Sequence, residues 1–255
     1  YESPAALEFK VIGGSSPLPA PSLSTALFSN SGQSVTVCFD GATDYGINIL
    51  GSAVSGTWKC SRIFTFSGAS VTSCTWLSDT CVKMIFCGGG LCSMIANRNS
   101  LTLLEPEQVV TLKGSVLKSA CRTGTTCALN LFASSATIVT EPPVYPLQAD
   151  VFISASDAGG ACDSPLTLDA SATSGGGGRP WKSVTWSVTL PEQSTGVATV
   201  PSASQQVELA AIESYLNSVG SISAPITIPF NMLNSTAYSI TLAVANFLQT
   251  ADDDY

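Results

Sequence analysis

The sequence predicts an all-β protein built from two tandem sandwich domains, with one short helix in the second. Three observations carry this. Large apolar and small polar residues alternate along many short runs such as QSVTVCFD and SVTWSVT, the period of two that sends successive side chains to opposite faces of a strand. Clusters of Gly, Ser, Asn and Pro separate these runs at the spacing of a sandwich. Six of the nine cysteines fall between Cys38 and Cys92, the density of a disulfide framework.

Composition narrows the function. The 255 residues suffice for one large or two ordinary domains. Only 11% are charged, against roughly 25% in globular domains, and mean hydropathy is +0.32. No uninterrupted apolar window reaches about 18 residues, so no membrane span is expected within this chain. Low charge with abundant Ser, Thr and Gly suggests a surface covered by partners or covalent glycans. A net charge of −8 and a pI near 4.3 argue against nucleic acid and anionic membranes, which demand basic patches. The cysteines point to an oxidising, extracellular setting, secreted or on a cell-surface appendage; zinc would call for CxxC pairs, and there are none. A chain starting at Tyr1 rather than Met is expected to have a removed or upstream signal peptide.

Taken in order, residues 5–12 (AALEFKVI) read as one strand, with Leu7, Phe9 and Val11 on one face and Glu8 and Lys10 on the other. GGSSPLPAPS then behaves as an extended linker. Further strand candidates are STALFSN, QSVTVCFD, GSAVSGTW, SRIFTFS, CTWLS, CVKMIFC, SLTLL, QVVTLKG and ALNLFA, and no amphipathic helix is evident before residue 200. TEPPVYPLQ, with three prolines, is the expected domain boundary. ADVFISAS, LTLDA, SVTWSVT and GVATVPS follow as strand candidates. Residues 205–219 predict a helix, its apolar face made by Val207, Ala211, Ile212, Tyr215, Leu216 and Val219, with Glu208 and Glu213 off that face and Gly220 as its C-cap. ITIPFNML and residues 237–247 finish the strands. Between LTLDA and SVTWSVT, the four glycines 175–178 and Pro180 cannot continue a strand and read as a flexible turn.

Cys162, LTLDAS, the GGGGRP turn and Trp186-Ser187-Val188, followed by IPFNML and YSITLAVANFL, resemble the receptor for egg jelly (REJ) module of polycystin-like extracellular proteins. The resemblance covers about residues 145–255, a little under half of the chain. STALFSNSGQSVTVCFD with the later IFTF and CTW is similar to the Ig-like modules that precede REJ modules in some long algal-type extracellular proteins. Together these imply residues 15–140 as an Ig-like sandwich holding most cysteines and residues 141–255 as a REJ-like sandwich. That pattern expects a further strand after NFL, where only LQTADDDY stands.

Residues 1–14 are accordingly expected to complete the REJ-like domain of a neighbouring copy. That copy is either the preceding repeat of one polypeptide or a separate subunit donating a strand, as in β-strand complementation. The inserted face is Leu7, Phe9 and Val11; the receiving groove is lined by Ile240, Leu242, Val244 and Phe247. Burying the three side chains is worth roughly 5 to 8 kcal/mol at about 1.5 to 3 kcal/mol each. Repetition of the join is head-to-tail, and a contact of that kind whose rotation does not close makes a filament. The alternative is a strand that folds back onto its own chain.

Disulfide connectivity cannot be read from spacing alone. Local hairpins suggest Cys60 with Cys74, Cys121 with Cys127 and Cys87 with Cys92, which leaves Cys38 and Cys81 as a bridge between strands and Cys162 over, either free or bonded to another subunit. With no histidine, neither a histidine-based nucleophile system nor a histidine metal site can be built. The acids Asp40, Asp44, Asp79, Asp169 and Glu208 sit in turns, strand ends or a solvated helix face, so no enzyme and no cofactor are expected. Asp252, Asp253 and Asp254 offer calcium ligands, although a solvated linker is the preferred reading. Asn234 heads the sequon Asn234-Ser235-Thr236, a glycan acceptor. The expected role is a structural subunit or repeat of an extracellular fibril; the alternative is an ectodomain fragment of a polycystin-like receptor or adhesin that binds a glycoprotein.

Overall fold

The computed structural model describes residues 17–86, 102–121, 129–156, 165–191, 200–234 and 237–248. It is an all-β fold of several sheets with two α-helices among the described residues. The chain divides into two compact units, Tyr1–Tyr145 and Pro146–Tyr255.

The first unit contains β1 (Leu23–Phe28), β2 (Ser34–Phe39), the one-turn α1 (Ile47–Leu50), β3 (Trp58–Lys59), β4 (Phe64–Thr65), β5 (Ser73–Trp76), β6 (Cys81–Ile85), β7 (Val109–Leu112) and β8 (Ala136–Val139). Its strands form a five-stranded sheet, β1-β2-β6-β5-β3, and a three-stranded sheet, β4-β7-β8. Alternation sets the faces: Val35, Val37, Val82 and Met84 are buried from one sheet and Phe64, Val110 and Leu112 from the other, so the two inner faces share a core. Past β8, Glu141 exchanges backbone hydrogen bonds with Phe28 and Ala26 of β1 at 3.1 and 2.7 Å, tying one sheet to the other.

Two of the expected disulfides are present. Cys38 and Cys81 are directly opposed in β2 and β6, outside the core, with Cα atoms 4.2 Å apart. Cys60 and Cys74, both buried, join β5 to the turn before β4, with Cα atoms 5.0 Å apart.

Several expected strands take another form. GSAVSGTW is a tight helical turn, Gly51–Ser55, entered at Gly51 with φ 57°, and only Trp58–Lys59 pairs. Helix α1 forms where none was expected, after Gly46 turns left-handed at φ 63°. ALNLFA fails as a strand because its alternation is inverted: Leu129 and Leu131 are exposed while Asn130 is buried. Residues 102–104 of SLTLL are not extended into a sheet, although Leu103 and Leu104 are buried. Conversely β8, the ATIV run before Thr140, pairs along β7 from Ala136 to Val139 and is absent from the sequence expectation.

The second unit contains β9 (Ser154–Ala155), β10 (Leu166–Asp169), β11 (Ser183–Thr189), α2 (Ala203–Val219), β12 (Ile226–Ile228) and β13 (Ser239–Ala245). Its sheets are β9-β10-β12 and β11-β13. Ser202 caps α2 in a capping box with Gln205, and Gly220 ends it in the left-handed conformation at φ 63°. The buried stripe is Leu209, Ile212 and Leu216. The face expected from sequence is therefore rotated: Val207 is 73% exposed and Ala211 also faces solvent. Leu209 packs with Trp186, Val188, Ile226, Ile228 and Leu242 in this unit's core. Most of GVATVPS lies outside the described residues.

Candidate functional site

The two edges of the β11-β13 sheet differ. Helix α2 closes the β11 edge with polar side chains. Asn217 accepts the Trp186 N–H at 2.9 Å and donates to the Trp186 carbonyl at 2.9 Å, while Glu213 accepts the Val188 N–H at 3.1 Å. Glu213 is thus no bystander on a solvated face. It and Asn217 satisfy strand backbone that would otherwise be an unpaired edge.

The β13 edge has no strand paired to it among the described residues. Its register opposes Val184 to Val244, Trp186 to Leu242 and Val188 to Ile240. Because the backbone groups of Trp186 and Val188 point at α2, these are non-hydrogen-bonded pairs. In an antiparallel ladder their partners then also turn N–H and C=O away from the shared seam. The backbone of Ile240, Leu242 and Val244 thus faces the open edge. Their side chains point into the core beside Trp186 and Val188, yet Ile240 and Val244 stay half-exposed whereas Trp186 and Val188 are buried.

Phe247 does not join these three. It lies beyond the end of β13, under the Arg179 guanidinium at 3.9 Å from the ring centre. The displacement is set by Asn246, buried, whose amide donates to the carbonyls of Leu147 and Gly175 at 2.7 and 2.9 Å and whose Oδ1 accepts the Leu248 N–H at 2.9 Å. The same contacts pin the glycine-rich loop, which is a docked turn rather than a flexible one. Ser174 and Asp150 exchange backbone hydrogen bonds, and Gly175, at φ 98°, sits so close to residue 148 that a Cβ there would meet the Gln148 carbonyl at 2.2 Å.

Asn234 is held by a three-residue cluster. Glu208 accepts from its backbone N–H at 3.1 Å, from its side-chain amide and from the Tyr238 hydroxyl, and the same N–H reaches the Tyr238 oxygen at 2.9 Å. The hydrogen bond from Tyr238 chiefly holds the Glu208 carboxyl below its ordinary value. Burial, and then Glu208 itself, push the Tyr238 hydroxyl up to about 12. Glu208, expected on a solvated helix face, instead reaches across to the loop. No spacing rule links positions 208, 234 and 238, so sequence reasoning missed the cluster. Ser235 and Thr236 lie outside the described residues.

The linker is anchored at its far end. Leu18 donates its N–H to Asn130 Oδ1 at 3.3 Å, Asn130 donates to the Ser119 carbonyl at 3.3 Å, and the Ser119 hydroxyl donates to the Pro19 carbonyl. Asn130 and Ser119 are both buried, which explains the inverted alternation at Leu129 and Leu131: the polar side chain turns inward to hold the proline segment. A cavity of about 470 Å³ lies between residues 18–21 and the loops carrying Asp40, Asp79 and Ser119.

The remaining acids serve turns. Asp40 accepts the Ser22 N–H at 2.7 Å, and Asp44 accepts the N–H groups of Gly46 and Lys118 at 3.0 Å each. Asp169 accepts the Ser171 N–H at 2.9 Å, and its hydrogen bonds to Ser171 lower its carboxyl pKa. Among the described residues no three His, Cys, Asp or Glu side chains are grouped to hold a metal, and no helix is long and apolar enough to cross a membrane. Cys121 is disulfide-bonded. Leu7, Phe9, Val11, Cys87, Cys92, Cys127, Cys162, Asp252, Asp253 and Asp254 lie outside the described residues. Compared with known proteins, the chain matches no protein-family model, and no curated protein or solved structure matches it significantly.

Proposed function

We propose that this chain is a structural subunit or repeat of an extracellular fibril or appendage, joined head-to-tail by strand 5–12 of one copy inserting beside β13 of the next. The observation that carries the reading is the asymmetry of the β11-β13 sheet, closed by α2 at one edge and uncovered at the other among the described residues. In an Ig-type sandwich one sheet holds strands A, B, E and D and the other C, F and G. The orders β9-β10-β12 and β11-β13 correspond to A-B-E and C-F, so the open edge is the place of strand G. This also favours the REJ-like reading of the second unit, which rests on Cys162, LTLDAS and the closing strands.

The disulfides Cys38–Cys81 and Cys60–Cys74, and the bonded Cys121, favour an oxidising, extracellular setting. Asn234 carries a covalent glycan in this reading, since a glycosylated amide keeps one N–H for Glu208. The chain acts by assembly rather than by catalysis.

Sedimentation of the full chain tests the proposal. The wild-type protein forms long assemblies and Phe9→Asp leaves single copies, while Phe9→Leu, apolar and close in size, still assembles. Assemblies that persist undiminished in Phe9→Asp would contradict it.

A further inference from the structure

Resting on that reading, we infer the orientation and register of the incoming strand: antiparallel to β13, with Leu7 opposite Val244, Phe9 opposite Leu242 and Val11 opposite Ile240.

Each part follows from the geometry of β13. The β11-β13 pair is antiparallel along its whole length, as are the other named strand pairs, the parallel contact being an isolated bridge of Leu27 with Glu141 in the first unit, so an antiparallel addition extends the sheet's own pattern. The open edge presents the backbone of Ile240, Leu242 and Val244, and their side chains face the core. A strand that bonds to this edge must set its own inward-facing residues directly opposite these three, because in an antiparallel ladder directly opposed residues share both a face and a hydrogen-bonding class. In residues 5–12 the inward set is Leu7, Phe9 and Val11.

Parity alone leaves registers that differ by two residues. A shift one way carries Val11 past the start of β13 to Tyr238, and a shift the other way sets Leu7 against Asn246, whose amide is already bonded to Leu147 and Gly175. Only the register stated keeps all three apolar side chains within the strand. It builds three continuous rows across the sheet: Leu7-Val244-Val184, Phe9-Leu242-Trp186 and Val11-Ile240-Val188. The half-exposed Ile240 and Val244 gain neighbours, and the two aromatic rings flank Leu242.

The outer face agrees. There β11 and β13 present Thr185, Ser187, Thr241 and Ala243, all small and uncharged. The register sets Glu8 against Ala243 and Lys10 against Thr241, so both charged side chains reach solvent over short neighbours and meet no like charge.

Lys10 and Thr241 form a non-hydrogen-bonded pair in this register, the class with the closer Cα atoms, about 4.5 Å apart, within disulfide range. The chain already contains such a bond, Cys38 to Cys81 between opposed residues of adjacent antiparallel strands, with Cα atoms 4.2 Å apart. The test therefore co-assembles two differently tagged full-length copies, one carrying Lys10→Cys and the other Thr241→Cys, and maps the disulfide-linked peptides. In parallel, Lys10→Cys is paired with Ser239→Cys and with Ala243→Cys. Both positions face outward, so the variants spare the core.

The expected result is a bond between copies from position 10 to 241, in at least tenfold excess over 239 or 243. A bond between copies favouring 239 or 243 overturns the register while leaving head-to-tail assembly standing. A bond formed only within one copy, or none at any of the three positions, overturns the assembly reading and the register with it.

Discussion

Gly175 shows how a single residue positions the site. Its φ of 98° and the 2.2 Å approach of a would-be Cβ to the Gln148 carbonyl exclude any side chain, because backbone cannot step aside as a flexible side chain can. Gly175→Ala is expected to destabilise the second unit by about 2 kcal/mol or more, read as a lower urea midpoint; an unchanged midpoint would remove the docked-loop account. The Glu208 cluster makes a prediction about pH. A carboxyl whose folded pKa is lowered contributes stability that is complete above its unfolded value and is lost as pH falls through the folded one. The tyrosine runs the other way, its contribution complete below its ordinary value of 10.0 and fading as pH rises towards about 12. Glu208→Gln should therefore flatten the acid limb of a urea-midpoint profile, at a cost near neutrality of about 1 kcal/mol or less because the cluster is solvent-screened. An acid limb of unchanged slope would show that Glu208 does not couple the helix to Asn234. Neither effect is legible in sequence: the four glycines announce a turn, but nothing in them says that it is docked.

Elements divide by how far their neighbours decide them. Strands β2, β6, β11 and β13 were legible because one face of each turns toward a core, fully buried in β2 and partly so in β13, so alternation records the core directly. Helix α2 was legible in existence and in its Gly220 cap, while its buried stripe moved to Leu209, Ile212 and Leu216 because Glu213 and Asn217 are drawn to the β11 edge. The segment around Asn130 misled for the opposite reason: its leucines face solvent, and the asparagine goes inward to hold residues 18 and 19 through Ser119. The proline segment is thereby an anchored strut, so the chain enters the first unit at a fixed point. Asn130→Ala leaves Leu18 N–H without its acceptor and the Ser119 carbonyl without a donor. Hydrogen exchange at Leu18 should then accelerate at least tenfold while the β2 and β6 amides keep their protection; equal exchange at Leu18 in both proteins would return the segment to a free linker.

For the whole molecule, the fold class was readable from alternation and turn chemistry, the pairing Cys60–Cys74 from its closeness in sequence, and Cys38–Cys81 only as the pair left over by the local ones. That Ile240, Leu242 and Val244 share one face was readable from alternation, since one strand sets them side by side; that Phe247 leaves them was not, since Asn246 turns it away beneath Arg179. What sequence could not supply is the unequal treatment of two edges of one sheet, since it depends on helix side chains some thirty residues from the strand they cap. In the proposed assembly that inequality places a neighbouring copy's strand along β13, and cryo-electron microscopy of the native material at side-chain resolution would read that edge itself. The expected map shows a strand antiparallel to β13, its side chains fitting Leu7, Phe9 and Val11, that traces back to the first unit of a neighbouring copy. A strand there that traces to the same copy, or solvent along the β13 edge, would contradict the proposed assembly.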